Sequence, residues 1–182
     1  NNIIIPNSVV KIGNYAFNNC TSFKEMIVPN SGEEIGDSAF KNCIILANVQ
    51  LSQNLKTLKS SAFSGCDSLQ EIEIPKSLTE TSITANGGPF NNSGLKTATF
   101  EVGTTKVVNG LFDAANKLES VELTDTITNL EDYAFRNCTS LKEVTIPNSV
   151  VEIGGYTFSN CTSLNNIIIP NSVVKIGNYA FN

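Results

Sequence analysis

Five cysteines, Cys20, Cys43, Cys66, Cys138 and Cys161, and no histidine set the reactive inventory of this 182-residue chain. A serine or cysteine nucleophile needs a base beside it, and histidine supplies that base in the Ser-His-Asp and Cys-His arrangements. Its absence removes both, together with the commonest metal ligand. The cysteines fall into one pattern: each stands three residues after a phenylalanine. After Phe90 and Phe112 the same place is taken by Ser93 and Ala115, which can neither form a disulfide nor bind a metal. The five thiols are therefore expected to be free and to line up in a buried column, since unpaired cysteine packs as a small hydrophobe. No pair of carboxylates stands out for acid–base work. No catalytic residue, metal or cofactor is expected, and the chain reads as non-enzymatic.

A second chemical signal is the N-x-Ser/Thr triplet beginning at Asn19, Asn91, Asn137 and Asn160, the acceptor pattern for N-glycosylation. At three of these sites the triplet is repeat text beside the cysteine column, and the asparagine is expected to bond backbone in a turn. Asn91 lies in irregular surroundings and is the acceptor expected if the chain passes through a eukaryotic secretory route.

The elements that position these residues follow from an internal repeat. Phe17, Phe40, Phe63, Phe90, Phe112, Phe135, Phe158 and Phe181 are separated by 23, 23, 27, 22, 23, 23 and 23 residues. NNIIIPNSVVKIGNYAFN stands both at 1–18 and at 165–182, the same phase of that repeat. Around each phenylalanine the other columns keep step. An apolar residue precedes it by five, as at Ile12, Ile35, Leu58, Leu130 and Ile153, and leucine follows it by six at Leu46, Leu69, Leu118, Leu141 and Leu164. Next comes a short alternating run, Leu141-Lys142-Glu143-Val144-Thr145-Ile146, closed by Pro147. Alternation with β-branched residues predicts a strand with Leu141, Val144 and Ile146 inward. Three before each phenylalanine stand Asn14, Asp37, Ser60, Gly87, Asn109, Asp132, Gly155 and Asn178. All eight are helix N-cap types, so one short helical or 3₁₀ turn is expected there. Such a unit cannot bury its apolar face alone, and stacking must complete the core. Residues 1–182 are expected to form a single solenoid of about eight coils, about 35–40 Å long at the usual strand spacing.

The pattern LxxVxIPxxVxxIGxxAFxxC, carried by Leu141, Val144, Ile146, Pro147, Val150, Ile153, Gly154, Phe158 and Cys161, resembles the BspA-like subclass of leucine-rich repeat proteins. The resemblance covers nearly the whole chain. It implies a right-handed superhelix with a parallel β-sheet on one face and short helical or 3₁₀ turns on the other. It also implies a role like that of family members, surface-exposed adhesins that bind host matrix proteins or other cells. The expected partners are then proteins, extracellular-matrix glycoproteins among them, and the expected location is extracellular or on the cell surface. An intracellular scaffold and a structural spacer are the alternatives, and a column of reduced thiols would suit a cytosol.

Three places could carry recognition. The outward strand positions form a strip through Ile27, Gln50, Glu73, Thr99, Glu122 and Thr145, with Ile4 and Ile168 beyond its ends. A four-residue insertion within 79–89 makes a candidate loop around Thr84, Asn86, Gly87 and Gly88, since insertions in repeat proteins emerge on one face. Finally, the chain starts on Asn1 rather than Met and stops inside a repeat, so it is expected to be a piece of a longer array. Neither end has a polar capping coil, and uncovered coil ends invite end-to-end self-association. The net charge of −5 offers no basic stripe for nucleic acid, and no apolar run is long enough to enter a membrane.

Overall fold

The phenylalanine column is the spine of the molecule. In the computed structural model, which describes residues 3–182, the rings of Phe17, Phe40, Phe63, Phe90, Phe112, Phe135, Phe158 and Phe181 form one stack. Successive centroids lie 5.2, 5.3, 5.4, 5.8, 5.6, 5.3 and 5.4 Å apart. The five from Phe40 to Phe135 are completely buried. Full burial of a phenylalanine contributes about 2–3 kcal/mol, so the repeat's strongest letter is also its largest stabilising term.

Fourteen short strands, numbered in chain order, wrap this spine among the described residues. One series comprises β2 (Glu25–Ile27), β4 (Asn48–Gln50), β6 (Glu71–Ile74), β8 (Thr97–Phe100), β10 (Ser120–Glu122) and β12 (Glu143–Val144). These are the alternating runs of the sequence, and they pair in parallel as β2-β4 and β6-β8-β10-β12. We call them the principal sheet. Leu46, Leu69, Leu95, Leu118 and Leu141, at the strand entrances, are fully buried.

The other series is a second set of parallel ladders. It runs through β1 (Lys11–Ile12), β3 (Glu34–Ile35), β5 (Thr57–Leu58) and β7 (Glu80–Thr81), then through β9 (Lys106–Val107), β11 (Asn129–Leu130), β13 (Glu152–Ile153) and β14 (Lys175–Ile176). The segment that follows each principal strand thus pairs with its neighbours for two residues per coil. Most of these strands send a β-branched or leucine side chain inward: Ile35, Leu58, Val107, Leu130 and Ile153 are fully buried, while Ile176 of the last strand is exposed. The four-residue insertion falls between β7 and β9 and interrupts the ladder there. A hydroxyl contact crosses that point, Thr81 Oγ1 donating to the Asn109 carbonyl, while on the preceding side Ser60 N donates to Ser82 Oγ at 2.8 Å and Ser60 Oγ to the Gly87 carbonyl at 3.0 Å.

The third face corrects the expected helical turn: no helix forms among the described residues. Around Phe40 the amides of Ala39, Lys41 and Cys43 bond back three residues, to Gly36, Ser38 and Phe40. The intervening amides of Ser38, Phe40 and Asn42 bond forward to Ser60, Ala62 and Ser64 of the next coil at 3.1, 2.8 and 2.7 Å. Half the amides therefore close local turns while half build a ladder between coils. This alternation places residues two before and two after the phenylalanine in the left-handed region, as at Tyr15 (φ 58°) and Asn19 (φ 59°). Asparagine tolerates that conformation better than other residues with a side chain, which explains its column after the phenylalanine. The predicted N-cap residues do bond an amide, but across coils: Asn14 Oδ1 accepts from Asp37 N at 3.0 Å, and Asp132 Oδ1 from Gly155 N at 2.6 Å.

Candidate functional site

The site is built from strands whose inward residues fix which side chains must face out. In β6 the burial alternates strictly, with Ile72 and Ile74 in the core and Glu71 and Glu73 exposed. Parallel register then carries the outward position from coil to coil: Ile27 pairs with Gln50, Glu73 with Thr99, and Thr99 with Glu122. Ile27, Gln50, Glu73, Glu122 and Thr145 are exposed and Thr99 is half-buried. Ile4 and Ile168 continue the line at 89% and 83% exposure. The strip is therefore one continuous surface, polar and acidic in the middle and apolar toward both ends, and none of the described residues outside it covers it.

A groove of about 480 Å³ opens on this surface between β4 and β6, lined by Asn48, Gln50, Glu71, Glu73, Thr97 and Thr99, with Glu25 and Ile27 on its far wall. Electrostatics sets this face apart. Several other carboxylates pair with lysines one coil away: Glu34 with Lys11 and Lys59, Glu101 with Lys76, Glu131 with Lys106, Glu119 with Lys142. Hydrogen bonds from Lys59, Lys76 and Lys142 hold the Glu34, Glu101 and Glu119 carboxyls below the usual carboxylate range. Glu71, Glu73 and Glu122 on the strip make no ion pair.

The candidate loop is only partly where the sequence puts it. Thr84, Ala85 and Asn86 are exposed, at the tip of a turn closed by Thr84 N to Gly87 O and Gly87 N to Thr84 O. Gly87 and Gly88 do not protrude; both are buried. Gly88 donates to the Asp113 carbonyl at 2.9 Å, and a side chain there would collide with the Gly110 carbonyl oxygen. The glycines serve close approach to the next coil rather than loop freedom.

Asn91 also departs from expectation. It is 1% exposed, and its Nδ2 donates to Ser61 Oγ at 2.9 Å and to the Gly88 carbonyl at 2.6 Å. A glycan on that nitrogen would have to displace both bonds and the packing above them, so the acceptor reading does not fit this structure. The other triplet asparagines form an amide ladder instead of bonding backbone: Asn42 Nδ2 donates to Asn19 Oδ1 at 3.1 Å and Asn160 Nδ2 to Asn137 Oδ1 at 3.0 Å.

The cysteines stand as free thiols, with Cys43, Cys66, Cys138 and Cys161 buried and Cys20 half-buried. Each buried thiol donates to the carbonyl of the phenylalanine one coil back, at 3.1 Å. Burial pushes the Cys161 thiol up to about 12 and the Cys138 thiol well above its ordinary value. Among the described residues no group of three or more His, Cys, Asp or Glu could hold a metal ion.

A buried ion pair escaped the sequence reading. Asp113, whose side chain is fully buried, receives Arg136 in a two-pronged contact, Nε to Oδ1 at 2.9 Å and Nη2 to Oδ2 at 2.6 Å. The guanidinium lies 4.5 Å over the Tyr133 ring, which heads a stack continuing through Tyr156 and Tyr179. The 23-residue offset between the two charges was the only available signal, and it is shared by every residue of a repeat.

The family model for the BspA type leucine rich repeat region matches residues 1–115 and 105–182. Among solved structures, a leucine-rich repeat protein from Eubacterium ventriosum is 28% identical, with a TM-score of 0.69, over 88% of this chain and 42% of its own. A leucine-rich repeat protein from Bacteroides ovatus is 29% identical, with a TM-score of 0.55, over 93% of this chain and 49% of its own. The T. pallidum leucine-rich repeat protein is 28% identical, with a TM-score of 0.67, over 87% of this chain and 72% of its own. The chain thus spans less than half the length of the first two. No curated protein matches it. With the phased columns, the parallel ladders and the phenylalanine spine in place, the chain belongs to the BspA-type leucine-rich repeat family.

Proposed function

We propose that this chain is a non-catalytic protein-binding module, one segment of a longer array in a cell-surface adhesin that holds host matrix proteins or other cells. The observation that carries the reading is the uncovered strip from Ile27 through Gln50, Glu73, Thr99 and Glu122 to Thr145, which repeats at every strand and whose carboxylates Glu73 and Glu122 make no ion pair. Repeat arrays bind through such extended faces, where many modest contacts add along one surface. The surface location rests on the family resemblance. The exposed tip Thr84–Asn86 is a second contact point on the same reading.

The test is a binding titration of the purified chain against a panel of extracellular-matrix glycoproteins, beside a variant carrying Glu73→Lys and Glu122→Lys. Saturable binding that the variant loses supports adhesion through the sheet face. Absence of binding by either chain favours the spacer.

Head-to-tail association of copies is the other partnership to weigh, and the charge register opposes it. Lys175 meets Glu152 of the preceding coil, and Lys11 meets Glu34 of the following one. Continuing the same ladder from one copy to the next would set Lys175 against the second copy's Lys11, like charges at neighbouring ladder positions.

A further inference from the structure

The principal sheet is open at one place. β4 and β6 lie side by side but share no ladder pairing, whereas β2-β4 and β6-β8-β10-β12 are continuous. Val49, the inward residue of β4, is half-buried at this opening, while its counterparts Ile72 and Ala98 are 4% and 1% exposed. The groove described above lies over that discontinuity. Its lining contains no lysine or arginine. The lysines nearest in sequence, Lys24 and Lys96, sit at the strand entrances outside it. On one side the groove meets Ile27, 59% exposed, with Ile4 beyond.

This surface pairs the apolar shelf at Ile27 with two carboxylates, Glu71 and Glu73, that make no ion pair, whereas Glu34, Glu101, Glu131, Glu119 and Glu152 each meet a lysine. We propose that the groove takes an extended protein segment lying across the strands, with an apolar side chain on Ile27 and a lysine or arginine against Glu73 and Glu71. The proposal rests on the sheet-face reading above and adds the partner's chemistry. Ile27 and Glu73 stand in one outward column two coils apart, about 10 Å at the usual strand spacing. A chain in the polyproline II form rises about 3.1 Å per residue and returns to the same face every three, so the partner carries an apolar residue and a basic residue three positions apart. Charge sets orientation and approach here, and the isoleucine shelf supplies the desolvated anchor.

The probe is an acetylated, amidated peptide of sequence Leu-Ser-Thr-Lys-Ser-Thr-Lys, titrated into the isotopically labelled chain at low ionic strength and followed by backbone amide shifts. A control peptide carries glutamate in place of both lysines. The expected result is a set of saturable shifts at Asn48, Gln50, Glu71 and Thr97, weakened about tenfold by Glu71→Lys with Glu73→Lys and weakened again by added salt. Lys41→Glu, on the turn face, leaves the titration unchanged. Equal binding of the glutamate peptide, or shifts confined to another face, overturns the proposal. So does the absence of peptide binding; if a matrix glycoprotein still binds and is lost with Glu73→Lys and Glu122→Lys, the sheet-face reading stands and only the basic-segment inference fails. If no matrix glycoprotein binds either, both fall.

Discussion

Removing one ring from the middle of the phenylalanine stack tests whether the spine holds the coils together. Phe63 is fully buried and lies between Phe40 at 5.3 Å and Phe90 at 5.4 Å. Phe63→Ala leaves a cavity bounded on both sides by rings held in their own coils by inter-coil hydrogen bonds, such as Phe40 N to the Ala62 carbonyl and Phe63 N to the Pro89 carbonyl. The walls cannot close easily, which places the cost at about 4 kcal/mol, the upper part of the usual range. Phe181 is the matched control: the same residue of the same repeat, but 41% exposed and stacked on Phe158 alone at 5.4 Å. Its truncation removes roughly half as much buried surface and opens no enclosed void, a cost of about 1 kcal/mol. Urea unfolding followed by circular dichroism should separate the two variants by about 1–2 M in midpoint, with similar slopes. Midpoints within about 0.3 M of each other would refute the reasoning, because the ring's position in the stack would then not govern its contribution.

Three further outcomes follow from side chains already described. Arg136→Ala strands the fully buried Asp113 carboxylate and should cost about 3–5 kcal/mol in urea unfolding, while adding Asp113→Asn should recover part of that loss; equal stability of single and double variants would contradict it. The buried thiols should resist a thiol-specific reagent at neutral pH and react fully in denaturant. Cys161, held at about 12 when folded, favours the folded state through its neutral form at pH below the unfolded value of about 9. That contribution should fade as pH rises from there through about 12, so titrating stability upward from neutral pH checks the sign, and a rise would contradict it. Lys11→Glu should increase concentration-dependent association in light scattering, since it replaces the Lys11–Lys175 clash of a head-to-tail stack with an attractive pair; no change, or a decrease, would show that copies do not meet in this register.

Much of the fold was legible because its decisive contacts repeat at one period. The phase of Phe63 predicts the phase of Cys66, Leu69 and Glu73, and burial in the structure follows those columns. What the sequence hid is non-local within each coil. The turn around Phe40 looks helical because Asp37 and Asn42 suit helix ends, yet the same residue types suit tight turns and the left-handed region. Bonds from Ser38, Phe40 and Asn42 to the next coil decide between the two, and those exist only after stacking. The second ladder was missed for a related reason, since two residues such as Glu34–Ile35 carry too little alternation to announce a strand.

The insertion misled in the opposite sense. Gly87 and Gly88 read as loop residues but are required where backbone passes close to Gly110 and Asp113. Asn91 read as the glycan acceptor because its neighbourhood is irregular, whereas that irregularity is a buried hydroxyl and amide network around Ser61. For the candidate site, alternation placed Glu73 and Glu122 outward correctly. It could not show the opening between β4 and β6, which depends on a pairing that neither strand encodes alone.

The claim that the strand face, rather than the turn face, is the recognition surface is tested most directly by comparing three chains against the same immobilised matrix glycoprotein: the unchanged protein, Glu73→Lys with Glu122→Lys, and Asn18→Lys with Asn160→Lys on the turn face. The account predicts that the strand-face variant loses about tenfold or more in affinity while the turn-face variant binds as the unchanged protein does. Loss confined to the turn-face variant, or binding indifferent to both pairs of substitutions, would contradict it.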